Sequence, residues 1–205
     1  MLSSLGILFV LAALVGITHA YIQQLQAERL LAVLSEIEVG VTDKASVVRL
    51  TKGLRGEWME SSNGEQEDLG FYFHNRGMYL LRLVPNTEFR AYITFKNGLV
   101  VRKHASEGVG DYVGGLPGIG CFAWMTETAR GLGELGPVDN VTPDHHPNHV
   151  VYGGDRRDTT IWDDNTYPRE DRDRDWGTLD LSCFTRFGGC QDSRLLMPKA
   201  MPTSR

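Results

Sequence analysis

Leu5-Gly-Ile-Leu-Phe-Val-Leu-Ala-Ala-Leu-Val-Gly-Ile17 lies within an opening segment, Met1–Ala27, that contains no Lys, Arg, Asp or Glu. An α-helix rises about 1.5 Å per residue, so a hydrocarbon core of about 30 Å needs roughly 20 residues. The 13 residues quoted fall short of that. Extension to Leu2–Ile22 adds Ser3, Ser4, Thr18, His19 and Tyr21 and gives 21 residues. Ser and Thr hydroxyls can return to the helix backbone, and a Tyr ring suits the lipid–water boundary. The segment reads as a transmembrane helix.

Two other readings compete with it. Thr18-His19-Ala20 offers small residues where a signal peptidase would cut, and an apolar stretch of 13 fits a signal peptide. A soluble core helix would satisfy the same pattern. Against cleavage, no Lys or Arg precedes the apolar stretch, and the apolar spacing continues in helical register through Ile22, Leu25, Leu30, Leu34 and Ile37. The retained anchor over Leu2–Ile22 is therefore the expectation. Arg29, Lys44, Arg49 and Lys52 after the span favour a cytoplasmic domain under the positive-inside rule. Cysteine usage points to the oxidising side, and the expectation follows it: a single-pass protein with an extracytoplasmic domain.

Outside the anchor the chain is long enough for one ordinary domain. Its formal net charge is −5 with no basic block, so it lacks the electrostatic footprint of a nucleic-acid binder. The sequence divides into the anchor over 1–22 and a helix leaving the membrane over 23–40. Next come a helix plus antiparallel sheet over 41–107 and a Gly-rich loop with a short helix over 108–148. Residues 149–205 hold a hairpin, a charged loop and a Cys-containing helix. The fold class is α+β: a transmembrane helix, then a small antiparallel sheet with packed helices.

Gly40 stops the first helix, and Thr42 or Asp43 caps a second, with Ala45, Val48, Leu50 and Leu54 spaced for one buried face. From Glu57 the period becomes two. Leu69–His74, Met78–Val84 and Phe89–Phe95 read as strands, with turns at Ser61–Gly64 and Pro85–Thr87. Asn97-Gly98 between two β-branched runs is the strongest local signal, since both central positions of a type I′ turn need positive φ. A sheet of three or four strands results. Cys121–Arg130 is expected as a short helix after the glycines, and Val150–Tyr152 with Thr159–Trp162 as a second hairpin. Asp-Arg-Asp-Arg-Asp at 171–175 reads as a self-neutralising solvated loop. A last helix from Thr178 or Asp180 to Phe187 puts Leu179, Cys183 and Phe187 on one face, with Leu195–Met197 packing beyond it.

Glu38-Val-Gly-Val-Thr42, the short helix, Gly56 and Ile93-Thr-Phe-Lys-Asn-Gly-Leu-Val100 resemble the SmpA/OmlA-type domain of outer-membrane assembly lipoproteins. That family carries I-x-x-G-M-T-x-x-x-V followed by a V-x-F-x-N-G-x-V hairpin. The likeness covers Ile37–His104, and the lipobox cysteine of the family is missing, so lipid anchoring is not implied. The whole layout also resembles bacterial single-span proteins that end in L-x-x-S-C-x-T-x-x-G-G-C-x-D-x-R-x-L-x-P. Here Ser182-Cys183, Thr185, Gly188-Gly-Cys190, Asp192, Arg194, Leu196 and Pro198 carry that motif. This resemblance implies architecture and no activity.

Cys183 and Cys190 bracket a helix end and a Gly-Gly reversal, which can bring their Cα atoms within the ~4.4–6.8 Å a disulfide needs. Closing so short a loop contributes about 2.5 kcal/mol in the chain-entropy model. Cys121 remains as a small core residue. Asp144-His145-His146-x-x-His149 is the one cluster with a full set of imidazole and carboxylate donors for Zn²⁺. Pro143 and Pro147 spoil its helical presentation, and H-E-x-x-H is absent. Gly115-x-x-Gly118-x-Gly120 departs from phosphate-binding spacing, Asp163-Asp164-Asn165 from that of an EF-hand, and Asn140-Val-Thr142 precedes a proline. No cofactor is expected. The favoured function is a membrane-anchored, non-catalytic interaction or structural domain whose partner is another envelope protein. The alternative is a secreted or anchored metal-dependent hydrolase using Asp144, His145, His146 and His149.

Overall fold

The first helix, α1 (Leu2–Glu36), runs for 35 residues without a break. A computed structural model describes residues 2–60, 66–110, 120–130, 149–153, 158–187, 189–190 and 192–199. Along α1 the surroundings change. Leu8 and Val15 are 66% and 70% exposed, whereas Ala20, Ala27, Leu30 and Leu34 are fully buried. From Ala27 onward the buried positions recur at three and four residues, the spacing that lays one helix face on a sheet. Gly40, at φ +83°, ends the run in a conformation that side-chain-bearing residues rarely adopt.

The chain then forms α2 (Lys44–Leu50), β1 (Gly56–Glu60), β2 (Glu67–His74), α3 (Arg76–Leu80), β3 (Thr87–Lys96) and β4 (Leu99–Val109). There follow β5 (Cys121–Thr128), β6 (His149–Gly153), β7 (Asp158–Asp164), α4 (Arg169–Trp176), a 3-10 turn (Leu181–Phe184) and α5 (Ser193–Leu196). The strands make one seven-stranded sheet in the order β1-β2-β3-β4-β5-β7-β6. All neighbours are antiparallel except β5 and β7. The fold is α+β, and its core lies between α1 and one face of this sheet, where Leu30 and Leu34 meet Phe71, Phe89, Ile93 and Met125.

The Asn97-Gly98 hairpin forms as expected, with φ of 54° and 79° at the two turn residues. It also anchors the α1–α2 link. Gly40 N–H donates to the Val100 carbonyl at 2.8 Å, Val100 N–H to Thr42 at 3.0 Å, and Lys44 N–H to Gly98 at 2.9 Å. Asp43 caps α2 by accepting from Ser46 N–H at 2.7 Å. The buried side of α2 differs from expectation: Val47 and Thr51 face inward, while Ala45 and Val48 face solvent. The apolar pair Val47-Val48 admits either register, and the tether to Val100 chooses one.

Five further expectations are corrected. Met78–Val84 is not a strand. Its Met-Tyr-Leu-Leu run favours helix, forms α3, and stops where Arg82 takes a positive φ of 55°. Cys121–Arg130 is not a helix: Cys121, Ala123 and Met125 are buried, with half-buried Phe122 and Trp124 between them, the period of a strand. The charged run at 171–175 is helical in α4, and it buries Arg172, Asp175 and Trp176. The last expected helix shrinks to the 3-10 turn, with Phe187 left 69% exposed. The sheet has seven strands rather than three or four because β4 runs on to Val109, β5 pairs with it, and the 149–164 hairpin joins the same sheet.

Arg172 explains why α4 packs. On β4 and β5, Lys103 and Glu127 point toward the helices and are shielded from solvent. The Lys103 ammonium donates to the Leu34 and Ile37 carbonyls, each at 2.7 Å, and lies 2.9 Å from a Glu127 carboxylate oxygen. All three of its N–H donors are used. The other Glu127 oxygen accepts from Arg172 Nη1, and Trp176 Nε1 donates to Glu127 at 3.1 Å. Burial pushes the Lys103 amine below its ordinary value, and the Glu127 carboxylate opposes that shift. A Lys at the carbonyl end of α1 also meets the negative end of the helix dipole. Glu127→Gln would leave two buried cations without a counter-charge. Denaturant unfolding of the full chain should then show a loss of about 3–5 kcal/mol. A loss below about 1 kcal/mol, the scale of an exposed pair, would contradict this assignment.

Candidate functional site

Side chains alternate across the sheet, so the face turned away from α1 carries the residues between the core positions. On it a row of rings crosses four strands. Tyr72 on β2 meets Tyr92 on β3 edge-on at 5.7 Å, Tyr92 stacks on His104 of β4 at 5.9 Å, and His104 meets Trp124 of β5 at 4.6 Å. Phe122 extends the row at 5.5 Å. The rings are half-buried because each shelters the next. A row of this kind offers flat apolar contact area at low conformational cost, with hydroxyl and imidazole groups at its edges.

The polar groups of the row are partnered among themselves. The two tyrosine hydroxyls hydrogen-bond at 2.9 Å, and burial followed by that bond raises Tyr92 to about 12. Trp124 Nε1 donates to Thr126 Oγ1 at 2.7 Å, and the same hydroxyl hydrogen-bonds with His104 Nδ1 at 2.9 Å. Burial, helped by Arg102, pushes the His104 pKa down to about 3. An imidazole so far below neutrality is poorly matched to general-base work at physiological pH. The row is suited to contact rather than to proton transfer.

The opposite face holds a second concentration of chemistry. Glu107, on β4 opposite Phe89 and Ala123, is fully buried, and neither carboxyl oxygen finds a hydrogen-bond partner among the described residues. Burial, with Asp180 adding, raises its pKa well above the ordinary 4.5. The Cys121 thiol donates to the Cys190 carbonyl at 3.3 Å, and burial followed by Glu107 raises it to about 11. A thiol held protonated in this way is a packing group and not a nucleophile. Cys183 and Cys190 form the expected disulfide, with Cα atoms 5.5 Å apart.

Of the expected metal cluster, Asp144, His145 and His146 lie outside the described residues, and His149 opens β6 opposite Asp163. Among the described residues no group of three or more His, Cys, Asp or Glu is placed to hold a metal ion. Gly115, Gly118 and Asn140 are likewise outside them, while Asp163 is buried in β7. Sequence reading missed Lys103, Glu127, Arg172, Glu107 and the ring row. Arg172 and Trp176, four apart within the charged run, were the available signal of an inward face. Comparison with models of protein families, with curated proteins and with solved structures finds no match.

Glu107 gives a pH-dependent expectation. A carboxyl whose native pKa exceeds its unfolded value binds its proton more tightly in the fold. Its contribution to stability is complete below 4.5 and drains away as pH rises toward the native value. Glu107→Gln mimics the neutral acid and removes that dependence. Melting curves from pH 4 to pH 8 should show the variant gaining on wild type as pH rises, by at most about 1.4 kcal/mol per pH unit. A difference independent of pH would show that Glu107 does not retain its proton.

Proposed function

We propose that this protein is held in a membrane by a single retained N-terminal helix and acts as a non-catalytic interaction or structural domain at the cell envelope. The observation that carries the reading is the division of α1. One helix is apolar and exposed through its first half and forms the core of the domain with its second. By length and composition it is the one described helix able to cross a membrane. A free apolar half-helix is costly in water and at rest in lipid.

The position of Ala20 supports retention. A signal peptidase needs its site extended, yet Ala20 is fully buried inside the helix and packs with Met78 and Val84. Cutting after it would strip α3 of its partner. The Cys183–Cys190 disulfide supports an extracytoplasmic domain, since such bonds persist in oxidising compartments. The likeness of Ile37–His104 to the assembly lipoprotein domain supports an envelope role with a protein partner. The ring row Tyr72–Tyr92–His104–Trp124 is the face best suited to such a partner. The neutral Cys121 and His104 are tuned away from catalysis.

Alkaline extraction of membranes, followed by mass spectrometry of the mature N-terminus, tests the proposal. The full-length chain should stay in the extracted membrane fraction with residues 1–20 attached. Release into the soluble fraction, or a mature chain beginning at Tyr21, would overturn the anchor.

A further inference from the structure

The α3 turn touches α1 within the segment assigned to lipid. A Cβ placed on Gly77 would lie 2.9 Å from the Gly16 Cα, and one placed on Gly16 would lie 3.0 Å from the Gly77 carbonyl oxygen. Only glycine at both positions lets the two backbones approach this closely, the manner in which small residues join helices in membranes. One turn further along, Ala20 packs with Met78 and Val84. If the span ends near Ile22, these contacts sit roughly 3–9 Å inside its end. That depth is the boundary between headgroups and acyl chains, where amphipathic elements settle.

The turn is built rigidly. Asn75 is fully buried, donates to the Pro85 carbonyl at 3.0 Å and accepts from Thr87 N–H at 2.9 Å. The reversal after the 3-10 turn flanks α1 about one helical turn beyond Ala20, just past the end of the span, where Thr185 Oγ1 donates to Gln24 Oε1 at 2.8 Å. Gly189 there packs directly on the Pro85 ring. From these two turns Leu80 and Phe187 project, each 69% exposed. The same two turns carry the exposed Arg76, Arg82 and Arg186, no ion pair involves these three among the described residues, and residues 75–87 and 183–187 contain no acid. Turns that carry exposed apolar tips and exposed cations without an acid, at the end of a helix assigned to lipid, match an anionic bilayer surface.

We propose that the α3 turn and the Phe187 reversal form a collar that docks on the headgroup layer of the bilayer entered by α1. In that layer Leu80 and Phe187 sit among the upper acyl chains, and Arg76, Arg82 and Arg186 meet lipid phosphates. The collar rests on the anchored reading, and it adds a second contact that fixes the tilt and height of the domain. With the domain seated in this way, the ring row faces a partner at a set distance from the membrane.

The test uses the full-length protein in vesicles of phosphatidylcholine with or without phosphatidylglycerol. An environment-sensitive fluorophore is attached in turn to Leu80→Cys, Phe187→Cys, Leu11→Cys and Val48→Cys, all at exposed positions. At Leu80 and Phe187 the probe should give lipid-like emission and be quenched by lipids carrying a shallow nitroxide, while the probe at Val48 stays water-like. Water-like emission at Leu80 and Phe187 with a lipid-buried probe at Leu11 overturns the collar and leaves the anchor standing. Water-like emission at Leu11 as well overturns both. Phosphatidylglycerol should deepen the Leu80 probe, and the combined Arg76→Gln, Arg82→Gln and Arg186→Gln variant should lose that response. An unchanged response in that variant overturns the role given to the arginines.

Discussion

The ammonium of Lys103, closed in between the last carbonyls of α1 and the carboxylate of Glu127, is the contact on which the architecture depends. It joins three elements that the shared apolar core brings together: the end of the first helix, the middle of the sheet and, through Arg172, the charged helix α4. A buried ion of this kind costs much to desolvate and is tolerated only when every donor and acceptor is met. Meeting them leaves one seating for α1 along the sheet. Because α1 is continuous, the same contact fixes the direction in which its apolar half leaves the domain.

This makes the exposed apolar half of α1 and the domain a single mechanical unit. Many tethered domains hang from a flexible linker, whose contour leaves distance and orientation open. Here no linker separates the exposed apolar half of α1 from the half that packs on the sheet, and the Gly16–Gly77 approach packs α3 against the helix before it has cleared the apolar stretch. The domain therefore holds a fixed pose relative to its first helix. On the proposed reading, pose is what a rigid tether would supply, since a surface presented in one orientation loses less freedom when it meets a partner. The buried neutral acid Glu107, the protonated Cys121 and the depressed His104 fit the same picture of a body whose titratable groups serve packing.

Much of this was legible in the sequence where local physics is strong. The uncharged opening, the helical register running on to Ile37, the Asn97-Gly98 turn and the Cys183–Cys190 bridge each follow from rules that act within a few residues. What escaped were features decided at long range. Met78–Val84 has an apolar run that suits a strand, yet contact with Gly16 and Ala20, some sixty residues earlier in the chain, selects helix. Arg172 reads as solvated until Glu127 is placed opposite it, 45 residues away. The ring row is invisible in one dimension because its members come from four strands, one or two residues each. The pairing registers that assemble it depend on the bulge near Thr94 and on β5, which the preceding glycines disguised as a helix start.

The claim that one uninterrupted helix serves both as lipid span and as domain core is tested most directly by amide hydrogen exchange on the full-length protein in vesicles, read residue by residue over Leu2–Glu36. The account expects slow exchange along the whole of α1, in lipid before Gly16 and against the sheet after Ala27, with no gap across Thr18–Ile22. Rapid exchange across Thr18–Ile22, or throughout the residues before Ala20, would contradict it.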